Sequence, residues 1–283
     1  LQCWLAALPS ELGLRADSLR PASADASFRR YFRLDARGVD GGTAIVMDAP
    51  PPQEDTRPFL RVAALLHEAG LNAPRVLAQD VQQGFLLLTD LGATTYLAAL
   101  NEDNAGELFA AATGALIRWQ LASRDGALPP YDEALLRREL DLFPQWYLGR
   151  HLGREPTPAQ RQTLAALWRQ LIDACLAQPR VFVHRDYMPR NLMVCEHNPG
   201  VLDFQDAVYG PVSYDVASLF RDAFISWEEE QVLDWVVRYW QKARRAGLPV
   251  ASDFGAFWRD FEWMGLQRHL KVLGIFARIN YRD

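Results

Sequence analysis

The chain has 283 residues with 30 basic and 35 acidic side chains, a formal net charge of −5 and no basic run, which argues against nucleic acid as a partner. Its apolar fraction of 49% is ordinary for a globular protein, and no stretch approaches the ~20 consecutive apolar residues of a membrane span, so no membrane partner is expected. Cys3, Cys175 and Cys195 are far apart and form no Cys-x-x-Cys pair, and the histidines have no ligand spacing, which argues against both a disulfide framework and zinc.

In chain order, Trp4, Leu5, Leu8 and Leu12 share one helical face and Gly13 closes the segment, predicting a short packing helix over residues 1–14. The small residues from Ser23 to Ser27 then predict a turn into a strand that runs to Leu34 and carries Phe28, Tyr31 and Phe32. Gly41-Gly42 opens a further strand over Thr43 to Met47. Pro50-Pro51-Pro52 breaks the chain, and a helix follows with Phe59, Val62, Ala63 and Leu66 on one face and Gly70 at its end. Arg75 to Ala78 and Gly84 to Thr89 read as two more strands, after which Asp90-Leu91-Gly92 leaves the sheet as a hinge. Residues 1–90 are thus expected to form a small antiparallel β-rich lobe with a leading helix.

Residues 91–283 are expected to form a larger, mainly helical lobe, giving an α+β fold. Leu108, Ala112, Ala115, Leu116 and Trp119 recur at helical steps, as do Leu164, Leu167, Trp168, Leu171, Ile172 and Cys175. Thr157-Pro158-Ala159-Gln160 starts the second of these helices with a capping box and a proline in its first turn. Further helices are expected over 214–221 and 228–245, followed by a tryptophan-rich tail over 253–281. His67, His151, His197 and His269 are assigned ordinary surface or core roles.

Between these helices stands His184-Arg185-Asp186-Tyr187-Met188-Pro189-Arg190-Asn191, flanked by the apolar runs Val181 to Val183 and Leu192 to Val194. A carboxylate and a carboxamide, five residues apart, therefore sit on a loop between strands. Downstream, Val201-Leu202-Asp203-Phe204-Gln205 delivers a second carboxylate from a strand, and the turn formers Glu196 to Gly200 predict a hairpin that would bring Asn191 and Asp203 together. Two hard oxygen ligands suit magnesium, which keeps waters and takes phosphate oxygens for its other positions. The loop resembles the H-R-D-L-x-x-x-N catalytic loop of protein kinases with Tyr187 in place of Leu, and Asp203 stands where kinases carry D-F-G. This resemblance implies that Asp186 accepts the proton of an attacking hydroxyl while Asn191 and Asp203 hold magnesium across the phosphates of ATP.

Asp203 and Asp215 are only twelve residues apart, and Gly210-Pro211-Val212-Ser213-Tyr214-Asp215 already starts a helix, which leaves no room for the peptide platform of protein kinases. A small hydroxylated substrate is expected instead. With its histidine-containing loop, following Asp and G-P-x-x-x-D helix start, the chain resembles the aminoglycoside phosphotransferase family, which has a two-lobed protein-kinase-like fold. Within that family, Ala44 to Pro51, His184 to Val194 and Val201 to Phe224 are similar to the anomeric N-acetylmuramate and N-acetylglucosamine kinases of bacterial cell-wall recycling. The resemblance implies a cytoplasmic enzyme that transfers the γ-phosphate of ATP to the C1 hydroxyl of an amino sugar, with magnesium as cofactor and no obligate protein partner. No basic segment followed by an apolar core opens the chain, which fits a cytoplasmic protein.

On this basis Ser27, Phe28, Arg29, Arg30, Met47, Thr89 and Leu91 are the candidate nucleotide-binding residues. Asp206, Tyr209, Arg221 and Asp222 are the candidate substrate contacts, and Asp215 is assigned a structural role at its helix start. One departure stands out. Met47 falls near the position where kinases place a phosphate-binding lysine on the third strand, and the only lysines are Lys242 and Lys271. Arg29 and Arg30 are the candidate replacements, because guanidinium offers phosphate a bidentate fork. Two alternatives follow. A kinase of an aminoglycoside or amino alcohol would need a strongly acidic pocket; a catalytically dead binding module would explain Met47, but Asp186, Asn191 and Asp203 are all present.

Overall fold

The structure, a computed structural model, describes residues 1–24 and 28–281. It divides into two compact units, one made of Leu1–Thr94 with Met193–Asp206 and the other of Thr95–Leu192 with Ala207–Asp283.

The first unit is built on helix α1 (Gln2–Ala6), strands β1 (Leu14–Ala24), β2 (Arg30–Ala36) and β3 (Thr43–Asp48), helix α2 (Arg57–Glu68), and strands β4 (Val76–Asp80) and β5 (Phe85–Thr89). Its sheet has the order β1-β2-β3-β5-β4, and every pairing in it is antiparallel. α2 buries the expected stripe of Phe59, Val62, Ala63 and Leu66.

The helix expected over residues 1–14 is broken. α1 ends at Ala6, Pro9 precedes a single 3-10 turn at Ser10–Leu12, and Gly13 adopts φ +57 before β1 begins. Leu1, Trp4, Leu8 and Leu12 still pack on the core around Leu5, Leu34, Ala36, Ala44, Val46 and Leu87. The apolar face was therefore legible where the helix length was not. β1 itself was not expected, because register shifts between Arg15 and Arg20 and between Pro21 and Ser23 interrupt its alternation. Pro21 is tolerated because β1 lies at the sheet edge.

The second unit begins with α3 (Tyr96–Ala99), α4 (Ala105–Leu121) and α5 (Glu133–Leu142), which runs on into a π-helical stretch at Phe143–His151. α6 (Pro158–Leu176) starts with both halves of its capping box made: Gln160 N–H donates to Thr157 Oγ1 at 3.3 Å and Thr157 N–H to Gln160 Oε1 at 2.9 Å. Strand β6 (Arg180–Val183) leads to the loop that carries Asp186. The expected hairpin is present but short, as β7 (Leu192–Met193) against β8 (Gly200–Val201).

Residues 193–206 pack with α2 and the loop that follows it in the first unit. There Val201 N–H donates to Asn72 O at 2.7 Å, and the Phe204 ring lies 4.6 Å from that of Phe59. β9 (Val208–Pro211) pairs antiparallel with β6, followed by α7 (Tyr214–Phe220), α8 (Glu229–Arg245) and α9 (Phe254–Asn280). α9 packs closely on the end of α5, since a Cβ on Gly274 would come within 2.5 Å of Leu142 atoms. Among the described residues no helix is long and apolar enough to cross a membrane.

Candidate active site

β6 is a buried run, Val181-Phe182-Val183, and its burial fixes where the following loop begins. The backbone then turns sharply at Arg185, which holds φ +77, a conformation costly for a side chain with a Cβ unless its surroundings enforce it. Asp215 on α7 does so. Its fully buried carboxylate accepts the N–H of His184 at 2.7 Å and that of Arg185 at 3.0 Å. The sequence reading placed Asp215 at its own helix start; the N–H groups that it accepts belong to the loop carrying Asp186, about 30 residues earlier. Burial pushes this carboxyl up to about 7, against the two N–H bonds and the charge of Arg268.

Further bonds fix the rest of the loop. Arg268 Nη1 donates to the Arg185 carbonyl at 3.1 Å, the Asp186 N–H donates to His184 Nδ1 at 3.3 Å, and Asn191 Nδ2 donates to the Asp186 carbonyl at 3.0 Å. The peptide groups on both sides of Asp186 are thereby held. The Tyr187 hydroxyl donates to Ala112 O at 2.8 Å, anchoring the loop to α4.

Beneath the loop lies a buried charge cluster. Glu139 Oε1 accepts Arg185 Nη2 at 2.5 Å and Lys271 Nζ at 3.1 Å, while Oε2 accepts the Tyr131 hydroxyl at 2.5 Å and Gln267 Nε2 at 2.9 Å. Burial alone would raise the Glu139 carboxyl, but Lys271 and Arg185 outweigh it and hold the group down at about 2. Glu139, Arg268 and Lys271 escaped the sequence reading. The available signal was a glutamate sharing a helix face with Leu136 and Leu140, and one of only two lysines standing on the apolar face of a long helix.

In the first unit, Met47 is buried in β3. The two candidate cations differ. Arg30 forms an ion pair with the buried carboxylate of Asp48, whereas Arg29 Nη2 lies 3.9 Å from Asp203 Oδ1 with its side chain only 12% exposed. Asp203 holds φ +61 and its Oδ1 accepts Gln205 Nε2 at 2.9 Å. Arg185 and Asp203 are the residues other than glycine with positive φ among those described, and both stand on the two motifs.

Of the other candidates, Phe28 is exposed with its N–H donating to Glu54 Oε1 at 3.0 Å, and Thr89 Oγ1 at the end of β5 accepts the Arg75 N–H at 2.8 Å. Leu91 lies beside Gly200, and Asp206 is exposed. Ser27 lies outside the described residues. In the second unit, Tyr209 is in β9, and its carbonyl accepts the Tyr131 N–H at 2.9 Å. Arg221 is engaged by Glu229 at 2.8 Å and Glu262 at 2.6 Å. Asp222 Oδ1 accepts the Ala223 N–H, and burial raises its carboxyl.

Asn191 in the second unit and Asp203 in the first each offer a hard oxygen of the kind that magnesium takes. Among the described residues no group of three or more His, Cys, Asp or Glu could hold a metal by itself.

A family model described as phosphotransferase enzyme family matches residues 18–253. The N-acetylmuramate/N-acetylglucosamine kinase of Pseudomonas putida is 57% identical over 268 residues, covering 95% of this chain and 78% of that protein. The N-acetylmuramate/N-acetylglucosamine kinase of Neisseria meningitidis serogroup B is 52% identical over 292 residues, covering 100% of this chain and 84% of that protein. Among solved structures, an amicoumacin kinase in complex with AMP-PNP, Ca2+ and Ami superposes with a TM-score of 0.66 at 15% identity, covering 93% of this chain and 82% of that one. That likeness carries the fold, an α+β architecture of the protein-kinase-like phosphotransferases.

Proposed function

The chain belongs to the phosphotransferase enzyme family, and we propose that within it the protein is a cytoplasmic, ATP-dependent kinase that phosphorylates the anomeric hydroxyl of N-acetylmuramate, N-acetylglucosamine or both, in peptidoglycan recycling. The observation that carries this reading is the near full-length similarity to kinases named for those two sugars, at 57% and 52% identity. The completeness of the loop around Asp186 supports it.

Asp186 orients the sugar hydroxyl and takes its proton as the bond to phosphorus forms. Its flanking peptides are fixed by Arg268, His184 and Asn191, so little reorganisation is needed at the moment of reaction. Asn191 and Asp203 are the proposed magnesium ligands; the ion supplies charge neutralisation on the transferring phosphoryl group. Arg29 is the proposed phosphate cation in place of the missing lysine, since it stands beside Asp203, a proposed magnesium ligand, while Arg30 stands beside Asp48. Arg29→Met is expected to raise the KM for ATP more than Arg30→Met; equal effects would remove Arg29 from the role. Phe28, Met47, Thr89 and Leu91 are proposed to line the nucleotide side. Asp206, Tyr209 and Asp222 are proposed to face the sugar, with Arg221 bracing that region through Glu229 and Glu262.

The test is phosphorus NMR of the products formed with ATP and Mg2+ from N-acetylmuramate, N-acetylglucosamine, other hexosamines and aminoglycosides. The expected product is an anomeric phosphate on one or both N-acetylated sugars. Transfer to an aminoglycoside alone, or to another sugar hydroxyl, would overturn the reading.

A further inference from the structure

Arg185 and Arg221 of the second unit each pair with a carboxylate, and Arg221 and Arg268 also lie over aromatic rings. The Arg190 guanidinium lies over the ring of Phe224, 4.8 Å from its centroid. Arg190 is exposed and stands between Asp186 and Asn191 on the loop itself. Phe224 is 44% exposed and leans on Phe276 of α9, also 44% exposed, with ring centroids 5.7 Å apart. The two rings together present a small exposed apolar patch on which a ligand can rest.

Asp222, two positions before Phe224, is half-buried. Its Oδ2 accepts no hydrogen bond among the described residues, and its carboxyl senses the charges of both Arg268 and Arg190. Arg268 in turn holds the peptide before Asp186. An aromatic platform, a guanidinium over one of its rings and a carboxylate oxygen without a hydrogen bond among the described residues thus share one neighbourhood of the second unit.

Resting on the amino-sugar reading above, we infer that Phe224 and Phe276 form a platform for the sugar and that Arg190 receives the carboxylate of its lactyl ether. N-acetylmuramate carries that carboxylate and N-acetylglucosamine does not. Guanidinium matches a carboxylate bidentately, and the cation–ring contact with Phe224 restrains the long side chain before the ligand arrives. Arg190 therefore sets the preference between the two sugars.

The experiment measures kcat/KM for both sugars in the intact enzyme and takes their ratio, N-acetylmuramate over N-acetylglucosamine. In Arg190→Gln the ratio is expected to fall by about 10- to 100-fold, the worth of a charge-assisted hydrogen bond, through KM rather than kcat. Arg190→Lys recovers part of the loss, and Phe224→Leu lowers the ratio by a smaller factor. A ratio within twofold of the wild type in Arg190→Gln, whatever the absolute rates, overturns the inference while leaving the amino-sugar reading standing. Wild-type turnover of neither sugar would overturn both.

Discussion

Glu139 and Asp215 are both buried carboxylates that hold Arg185, one by its guanidinium and the other by its backbone N–H, yet their environments drive them in opposite directions. Glu139 faces Lys271 and Arg185 directly and is held down at about 2, while Asp215 faces mainly peptide dipoles and is pushed up to about 7. Burial penalises both charges. What separates them is whether a full positive charge lies within contact distance, as it does at 2.5 and 3.1 Å for Glu139. The loop that presents Asp186 is therefore fastened on one side by a charge cluster and on the other by a carboxyl that titrates near neutrality.

The largest expected effect comes from breaking the cluster. Glu139→Gln leaves Lys271 and Arg185 buried without their counter-charge and is expected to cost about 3–5 kcal/mol, measured by urea unfolding followed through tryptophan fluorescence. The carboxyl is lower in the folded state than its ordinary 4.5, so its contribution is present above that pH and lost as pH falls toward about 2. The variant should lose this acid-side dependence.

A smaller loss, about 1–3 kcal/mol, is expected for Asp215→Asn, which can offer one oxygen where the carboxyl offers two. Here the sign reverses. The folded carboxyl lies above its ordinary 3.8, so its contribution is present below that pH and lost as pH rises through about 7. Asp215→Asn should therefore cost less at pH 8 than at pH 5, and a cost independent of pH would contradict the contrast drawn between the two carboxylates. The smallest effect is expected at the exposed pair Asp234 and Arg238 on α8, 2.7 Å apart. There Asp234→Ala should change unfolding free energy by no more than about 0.5 kcal/mol, because water screens both partners.

Much of this was legible in the sequence where the information is local. Thr157 and Gln160 announce their capping box because its two bonds span three residues. The α2 stripe was visible for similar reasons. Features made by distant contacts were not: Glu139 meets Arg185 across 46 residues, and Arg268 meets it across 83. β1 was hidden by its interrupted register, and which carboxylate each of Arg29 and Arg30 faces depends on the fold.

The central claim is that Asp186, fixed by the bonds around its two peptides, takes the proton of the sugar hydroxyl. It is tested most directly by the kcat of Asp186→Asn with saturating ATP, Mg2+ and N-acetylglucosamine. The account predicts a fall of about 10²- to 10⁴-fold, the worth of a positioned general base, with ATP affinity retained. A kcat within threefold of the wild type would contradict it.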